Sequence, residues 1–224
     1  MFHLEEITHK LLKHPYFAKA KQVKEMNPGH PEDSVYTHLV QTADFITAHK
    51  DGAFIANTDA RKLFQDFMNR KIEGVLYSDI AILTGLVHDI GKILSYKEEE
   101  KIFSSNQVSP NTGFTYNPHH GYYGSVIVKP LLKEVGLHEK IVDYITDIVR
   151  FHLVPFDYYK GTAGYAIKDA IDDLKPRMEG RHIEVCINAY GDIAQHKPLQ
   201  ECFELIGRMF EEPHFYSTRE YVVA

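Results

Sequence analysis

The sequence predicts an all-α protein, a helical bundle with at most a small β-hairpin near residues 102–118. Apolar residues recur at spacings of three and four along most of the chain, which is the period of a helix with one buried face. No repeat and no Gly/Ser-rich linker divides the 224 residues, so a single domain over 1–224 is predicted. Its core is expected over about 31–195, with helix 2–14 and the segment 197–224 as extensions.

Capping residues and apolar spacing define the first three helices. Helix 2–14 is predicted to end at Pro15, and a third helix covers residues 59–70. Asp33 or Ser34 is suited to cap the second helix, which runs to about Lys50. Its apolar positions fall at spacings of four, four and three and mark a buried stripe: Val35, Leu39, Ala43 and Ile46.

Serine, glycine and proline delimit the later elements. Ser78 is predicted to cap a very apolar fourth helix that ends at Gly91. Residues 102–118 are rich in Ser, Asn, Pro and Gly, which is typical of a loop or a short hairpin. The remaining predicted helices cover residues 121–135 with a kink at Pro130, 138–152, 165–174, 182–195 and 199–210.

Composition excludes several classes of protein. A net charge of −6 argues against a broad nucleic-acid surface, although a local basic groove is still allowed. Cys186 and Cys202 are too few for a disulfide framework or a thiolate zinc site, which favours a reducing, cytoplasmic setting. The apolar runs are short of a membrane span, so no membrane partner is expected. The unusual count is 14 histidines, which suggests metal chemistry.

The most informative stretch runs from Leu86 to Lys92 and holds His88 beside Asp89 at the end of an apolar helix. A carboxylate buried there needs a cation, and His with Asp suits a divalent transition metal. Lys92 shares the face of His88 if the helix persists, so its ammonium is placed to meet a phosphate oxygen. The alternative to a metal site is an ordinary helix end, at which Gly91 caps the helix and the helix dipole stabilises the positive charge of Lys92.

Four further residues lie on other predicted helices, each beside an apolar stripe: His38, His120, His152 and Asp192. A helical bundle can direct such side chains into one interior site. The five helices therefore predict a shared polar centre, to which each contributes one residue or one pair.

In this order the residues resemble the HD-domain superfamily of metal-dependent phosphohydrolases, whose pattern is His, His-Asp, two more His in two-metal members, and Asp. The gaps here are 50, 31, 32 and 40 residues, and the resemblance covers about 31–195. The stretches around His38 and His119-His120-Gly121 are also similar to the HD domain of bacterial tRNA nucleotidyltransferases.

The resemblance implies a role for each matching residue. It assigns His38, His88, Asp89 and Asp192 to metal binding, with Asp89 bridging the ions in two-metal members. His120 and His152 match residues that complete a second metal site or contact phosphate. Lys92 matches a lysine that helps to hold substrate phosphate, so the implied catalytic set is Asp89, Lys92, His120 and His152. Some relatives have Glu after the third His, whereas Gly121 stands here, so His119 is an alternative third histidine.

The implied function is hydrolysis of a nucleotide, a nucleotide-derived phosphoester or an RNA end by attack of metal-bound hydroxide on phosphorus. Phosphomonoesterase (nucleotidase) and 2′,3′-cyclic phosphodiesterase activities both fit. One or two ions are expected, with manganese, iron, cobalt or nickel ahead of magnesium and with zinc also compatible. The alternatives are a di-iron oxygenase of the same fold and a non-catalytic module that binds a nucleotide or a partner.

Overall fold

The computed structural model describes these residues: 2–24, 34–94, 96–98, 101–103, 107–108, 115–117, 119–155, 178, 181–193, 206–207 and 210–211. The α-helices with defined bounds are α1 (Leu4–Lys13), α2 (Pro15–Ala20), α3 (Val35–His49), α4 (Thr58–Asn69), α5 (Tyr77–Val87), α6 (His120–Glu134), α7 (Glu139–Phe151) and α8 (His182–Ile193). A 3₁₀ helix, Ile90–Ile93, follows α5. The predicted all-α class is confirmed. The predicted helix 165–174 and most of 199–210 lie outside the described residues.

Within the described part of the chain, three short antiparallel pairs accompany the helices: β1 (Lys71–Ile72) with β2 (Val75–Leu76), β3 (Tyr96–Glu98) with β4 (Lys101–Phe103), and β5 (Gln107–Val108) with β6 (Thr115–Tyr116). The sequence analysis predicted at most one hairpin, near 102–118, and the β5–β6 pair lies there. It missed the turn between β1 and β2, where Glu73 and Gly74 both adopt positive φ, as a tight two-residue hairpin requires.

Helix caps confirm one prediction and correct two. Ser34 caps α3, because its hydroxyl accepts a hydrogen bond from the Thr37 amide. Ser78 does not cap α5; it lies inside the helix, which begins at Tyr77. Gly91 does not end that helix either, because α5 stops at Val87 and Gly91 belongs to the 3₁₀ helix.

Pro15 begins helix α2 as well as preventing α1 from continuing. It occupies the first turn of α2, where its missing amide hydrogen costs nothing and its fixed φ favours the helix. The His14 side chain accepts a hydrogen bond from the Tyr16 amide and so caps this helix. The sequence analysis missed α2 because it treated Pro15 only as a stop signal.

Helices α5, α7 and α8 run in the same direction through the core, and α5 is buried along its whole length. Near their beginnings, the Tyr77 and Tyr144 rings lie 6.1 Å apart, and at their ends the His88 and His152 rings lie 5.3 Å apart. Helix α3 packs antiparallel to α5. The carboxyl ends of α5 and α8 therefore lie against α3, and the end of α7 lies beside that of α5. Among the described residues, no helix has the length and apolar character to cross a membrane.

Gly91 allows the 3₁₀ helix to lie directly against the first turn of α6. A Cβ at this position would lie 2.1 Å from the His120 carbonyl oxygen and 2.5 Å from the Gly124 amide nitrogen. Both of those atoms belong to backbone, so a side chain at position 91 cannot be accommodated by rotating a neighbour. Glycine is required here because the backbone at position 91 lies very close to the backbone of α6. It is not required to cap a helix in a left-handed conformation.

We expect Gly91→Ala to lower the free energy of unfolding by about 3 kcal/mol or more, because separating two backbone segments disrupts a packed core. Urea denaturation in the presence of a chelator measures this directly. Gly207→Ala is the matched control, because its Cβ would meet no atom of a described residue closer than 3.9 Å. This substitution should change the free energy of unfolding by less than about 1 kcal/mol. Equal urea midpoints for Gly91→Ala and the parent chain would contradict the packing argument.

Candidate metal centre

Four buried side chains bring one donor atom each to a first ligand group, formed by His38, His88, Asp89 and Asp192. His38 Nε2 lies 3.0 Å from Asp192 Oδ1, 3.2 Å from His88 Nε2 and 3.3 Å from Asp89 Oδ2. His88 Nε2 lies 3.6 Å from Asp89 Oδ2 and 3.7 Å from Asp192 Oδ1. Donor atoms bound to one divalent ion at about 2.1 Å lie roughly 3.0–3.5 Å apart, so this spacing fits one ion.

A second ligand group consists of Asp89, His120 and His152. His120 is the first residue of α6, and His152 follows the last residue of α7. Asp89 Oδ1 lies 2.9 Å from His120 Nε2 and 3.1 Å from His152 Nε2, and the two imidazole nitrogens are 3.2 Å apart. Asp89 therefore belongs to both groups, with one carboxylate oxygen facing each.

The backbone fixes the tautomers of three histidines. The Nδ1 atom of each lies 2.6–2.8 Å from the carbonyl oxygen three residues earlier in the chain, a relation shared by His88, His120 and His152. Because a carbonyl oxygen only accepts, each Nδ1 carries the hydrogen and each neutral ring presents the Nε2 lone pair to the centre. This second contact is the one that metal-binding histidines commonly make.

Facing lone pairs require a cation between them. In the second ligand group, Asp89 Oδ1 and the Nε2 atoms of His120 and His152 are all acceptors at hydrogen-bond distance from one another. One proton can join two of these atoms, whereas a divalent ion binds all three. In the first ligand group, Asp192 Oδ1 makes no hydrogen bond with any described residue although it is buried. The donor set therefore fits divalent metal ions.

The two carboxylates are held in their charged form. Burial by itself raises the pKa of Asp89, but the ammonium of Lys92, followed by the neighbouring His88 and His120 side chains, outweighs burial and holds the pKa well below its usual range. Burial opposes ionisation of Asp192 in the same way, and His88 and His38 hold its pKa well below the usual value. Both side chains are therefore available as anionic ligands.

Lys92 is part of this centre, but not by the route that the sequence predicted. The α-helix does not persist beyond Val87, and the 3₁₀ helix brings Lys92 Nζ to 2.6 Å from Asp89 Oδ2. Lys92 is only 4% exposed. Its ammonium therefore compensates the shared carboxylate directly.

Glycines allow the ligand-bearing helices to approach closely. A Cβ on Gly85 of α5 would lie 2.8 Å from the end of the Ile46 side chain and 3.2 Å from Thr42 Cγ2. A Cβ on Gly191 of α8 would meet the same two side chains at 2.8 Å and 3.3 Å. Helices α5 and α8 thus both lie against the same turn of α3, one turn beyond His38.

The structure brings all the predicted ligands together: His38, His88, Asp89, His120, His152 and Asp192. Between the two candidates for the third histidine, the structure selects His120, because its Nε2 lies in the second ligand group. His119 is exposed and has a left-handed backbone conformation just before α6. The roles assigned to these residues in catalysis remain predictions.

Sequence analysis missed two buried polar side chains beside the ligands. Thr42 is 0% exposed and Asn188 is 2% exposed, and neither Thr42 Oγ1 nor the Asn188 amide atoms make a hydrogen bond with a described residue. Each stands four positions from a ligand, His38 or Asp192. That spacing on an apolar helix face is the signal that would have found them.

A second buried polar cluster was also missed, formed by Arg70, Tyr144 and Glu184. Glu184 is 0% exposed and forms an ion pair with Arg70. The signal was present in the sequence as a single glutamate in the apolar stretch from Ile183 to Ile187.

The grouping predicts metal content for each ligand variant. The parent chain, loaded with Mn²⁺ and freed of excess metal, should retain two ions. Asp192→Ala and His152→Ala should each retain one, because each removes a ligand from a single group, and Asp89→Ala should retain none. Elemental analysis per chain measures this. Two ions retained by Asp89→Ala would show that the shared carboxylate is not a ligand.

Acid should unfold the metal-free chain partly through the same carboxylates. Their folded pKa values lie below the unfolded value of about 3.9, so their stabilising effect is complete above about pH 5. It is lost as the pH falls through the folded pKa values. Asp89→Asn should therefore show a shallower loss of unfolding free energy below about pH 5 than the parent chain, measured by urea denaturation with chelator.

The half-exposed residue Asp143, which pairs with Lys129 on the surface, provides the control for that titration. Asp143→Asn should keep the parent slope. Identical slopes for the parent chain and Asp89→Asn would mean that Asp89 does not couple protonation to folding.

Comparison with known protein families agrees with this geometry. The HD domain model matches residues 35–192, which is more than half of the chain and runs from the start of α3 to Asp192. No curated protein matches the chain significantly. HD domains carry hydrolase-type activity that depends on metal, and the buried His/Asp centre fits a divalent ion. The resemblance to tRNA nucleotidyltransferases stays a prediction. The chain belongs to the HD domain family.

Proposed function

We propose that this protein is a metal-dependent phosphohydrolase that acts on a nucleotide, a nucleotide-derived phosphoester or an RNA end. The observation that carries the proposal is the pair of ligand groups that share Asp89 and lie beside the ammonium of Lys92. Two adjacent ion sites joined by one carboxylate suit an in-line displacement at phosphorus, in which both the attacking and the leaving oxygen need stabilisation.

Divalent ions bound there would lower the pKa of a coordinated water and neutralise charge on phosphoryl oxygens. The protein's own contribution is orientation. The carbonyl oxygens behind His88, His120 and His152 hold each imidazole in one tautomer, with Nε2 toward the centre. Because five of the six ligands are less than 5% exposed, the centre is fixed before substrate arrives.

Charge favours an anionic substrate. The centre holds two carboxylates and one ammonium, so two divalent ions would make it strongly positive. An anionic phosphoryl group balances that excess, and the compact ammonium of Lys92 is suited to contact one of its oxygens. His120 is the most exposed ligand at 11% of its side chain, so we place substrate entry on the side of the second ligand group.

Ligand chemistry limits the metal. The donors are imidazole nitrogens and carboxylate oxygens with no thiolate, which suits manganese, iron, cobalt and nickel best. Zinc fits the same set, and magnesium fits less well because it prefers oxygen ligands. A phosphomonoesterase or a 2′,3′-cyclic phosphodiesterase would use this centre in the same way, so the substrate class is decided by assay.

The test compares Lys92→Met with the parent chain, each loaded with Mn²⁺, on nucleoside monophosphates and on a 2′,3′-cyclic nucleotide. We expect Lys92→Met to keep both ions, because Lys92 is not a ligand. Its kcat/KM should fall by about 100-fold through loss of charge stabilisation in the transition state. Lys129→Met, which removes an exposed ammonium paired with Asp143, is the control and should match the parent.

Three outcomes would contradict this proposal. Hydrolysis by Lys92→Met at the parent rate would remove Lys92 from the mechanism. Oxygen consumption by the iron-loaded chain, with no phosphate release, would identify a di-iron oxygenase instead. Tight nucleotide binding without turnover by a fully loaded chain would identify a binding module.

A further inference from the structure

Three of the ligand-bearing helices are connected a second time, well away from the metal centre. Glu184 Oε1 of α8 accepts hydrogen bonds from Arg70 Nη2, at 2.8 Å, and from the Tyr144 hydroxyl of α7. The Arg70 guanidinium lies over the ring of Tyr77, the first residue of α5, at 4.6 Å. Together with Phe67, whose ring lies 3.6 Å from the guanidinium, these residues form the register cluster.

The register cluster lies near the beginnings of the helices whose ends carry the ligands. Tyr144 precedes His152 by eight residues, and Glu184 precedes Asp192 by eight residues. At 1.5 Å per residue, both intervals span about 12 Å along a helix. The register cluster thus joins α7 to α8 at positions that lie about two helical turns before the ligand on each helix.

Stability alone does not explain a buried ion pair at this position. Glu184 is 0% exposed, and burying it costs free energy that its pairing with Arg70 only offsets. Apolar residues of similar volume often stabilise a core equally well, but they supply no directional contact that selects one helix register. Directional hydrogen bonds fix the axial position of α8, and each residue of slip would displace Asp192 by about 1.5 Å.

The hydroxyl of Tyr144 keeps its hydrogen. Burial raises the pKa of Tyr144 well above its usual value, and the nearby Glu184 carboxylate raises it further. The phenol therefore remains a donor to Glu184 at neutral pH, and the connection between α7 and α8 persists there.

We propose that Glu184 is a positioning residue, which holds α8 through Arg70 and Tyr144 in the register that brings Asp192 into the first ligand group. The second ligand group takes no residue from α8, and α7 is held independently because it packs along α6. Loss of Glu184 therefore affects the first ligand group selectively. The inference extends the proposed function to the assembly of its metal centre, and it is tested by metal binding without any substrate.

The experiment uses two ligand variants, each of which leaves only one ligand group complete. His120→Ala leaves only the first ligand group complete, and Asp192→Ala leaves only the second. Glu184→Gln is then added to both, and Mn²⁺ dissociation constants are measured by calorimetric titration. We expect the constant to rise by at least about tenfold in the His120→Ala background and by less than about twofold in the Asp192→Ala background, since support for a ligand typically accounts for such a factor.

Two further variants distinguish a positioning role of Glu184 from a role in the stability of the fold. Arg70→Met combined with Tyr144→Phe and Glu184→Leu replaces the ion pair and the hydroxyl bonded to it by apolar residues. This variant leaves no hydroxyl unpaired, so it should keep the melting temperature and still lose affinity in the first ligand group. Glu139→Gln breaks an exposed pair with Lys133 and should change neither constant. Where Glu184→Gln does not fold, Tyr144→Phe, which removes one hydrogen bond to Glu184, is titrated in its place with the same selective loss expected.

Equal weakening of both groups, or an unchanged constant in the His120→Ala background, would overturn the positioning role while leaving the proposed function intact. Full first-group affinity in the apolar triple variant would also overturn it, because directional bonds would then be unnecessary. A parent chain that binds no Mn²⁺ would overturn the proposed function and this inference together, so the two failures are distinguishable.

Discussion

Asp89 carries a negative charge in a place that is 1% exposed, and a buried charge without compensation costs several kcal/mol. The rest of the interior is arranged around that constraint. Lys92 contacts one of its oxygens, two histidine-rich ligand groups face its two oxygens, and the pKa of Asp89 is held well below the usual range. Divalent ions complete the compensation, which links the fold to metal-dependent chemistry.

Close backbone contact makes this arrangement possible. Gly91 lets the segment after Asp89 lie against the first turn of α6, so that His120 reaches the same carboxylate. Gly85 and Gly191 let α5 and α8 lie against one turn of α3, next to His38. The ligands come from five separate segments, and small residues at the crossings bring those segments within reach of one another.

Much of the fold and of the metal centre was predictable from local sequence. Apolar spacing and capping residues predicted the helices, and the order of His38, His88-Asp89, His120, His152 and Asp192 predicted their convergence. The errors occurred where distant contacts decide the local structure. The end of α5 and the 3₁₀ helix depend on α6 packing against Gly91, and nothing within a few residues of Gly91 encodes that contact. Likewise, the apolar neighbours of Glu184 indicate that it is buried, but only the fold identifies Arg70 and Tyr144 as its partners.

Anomalous diffraction from crystals of the Mn²⁺-loaded chain shows whether Asp89 joins two metal sites, because it locates the ions without reference to activity. We expect two peaks, one among His38, His88, Asp89 and Asp192 and the other among Asp89, His120 and His152, with a different oxygen of Asp89 bound to each. A peak elsewhere, or ions that do not contact Asp89, would contradict this expectation.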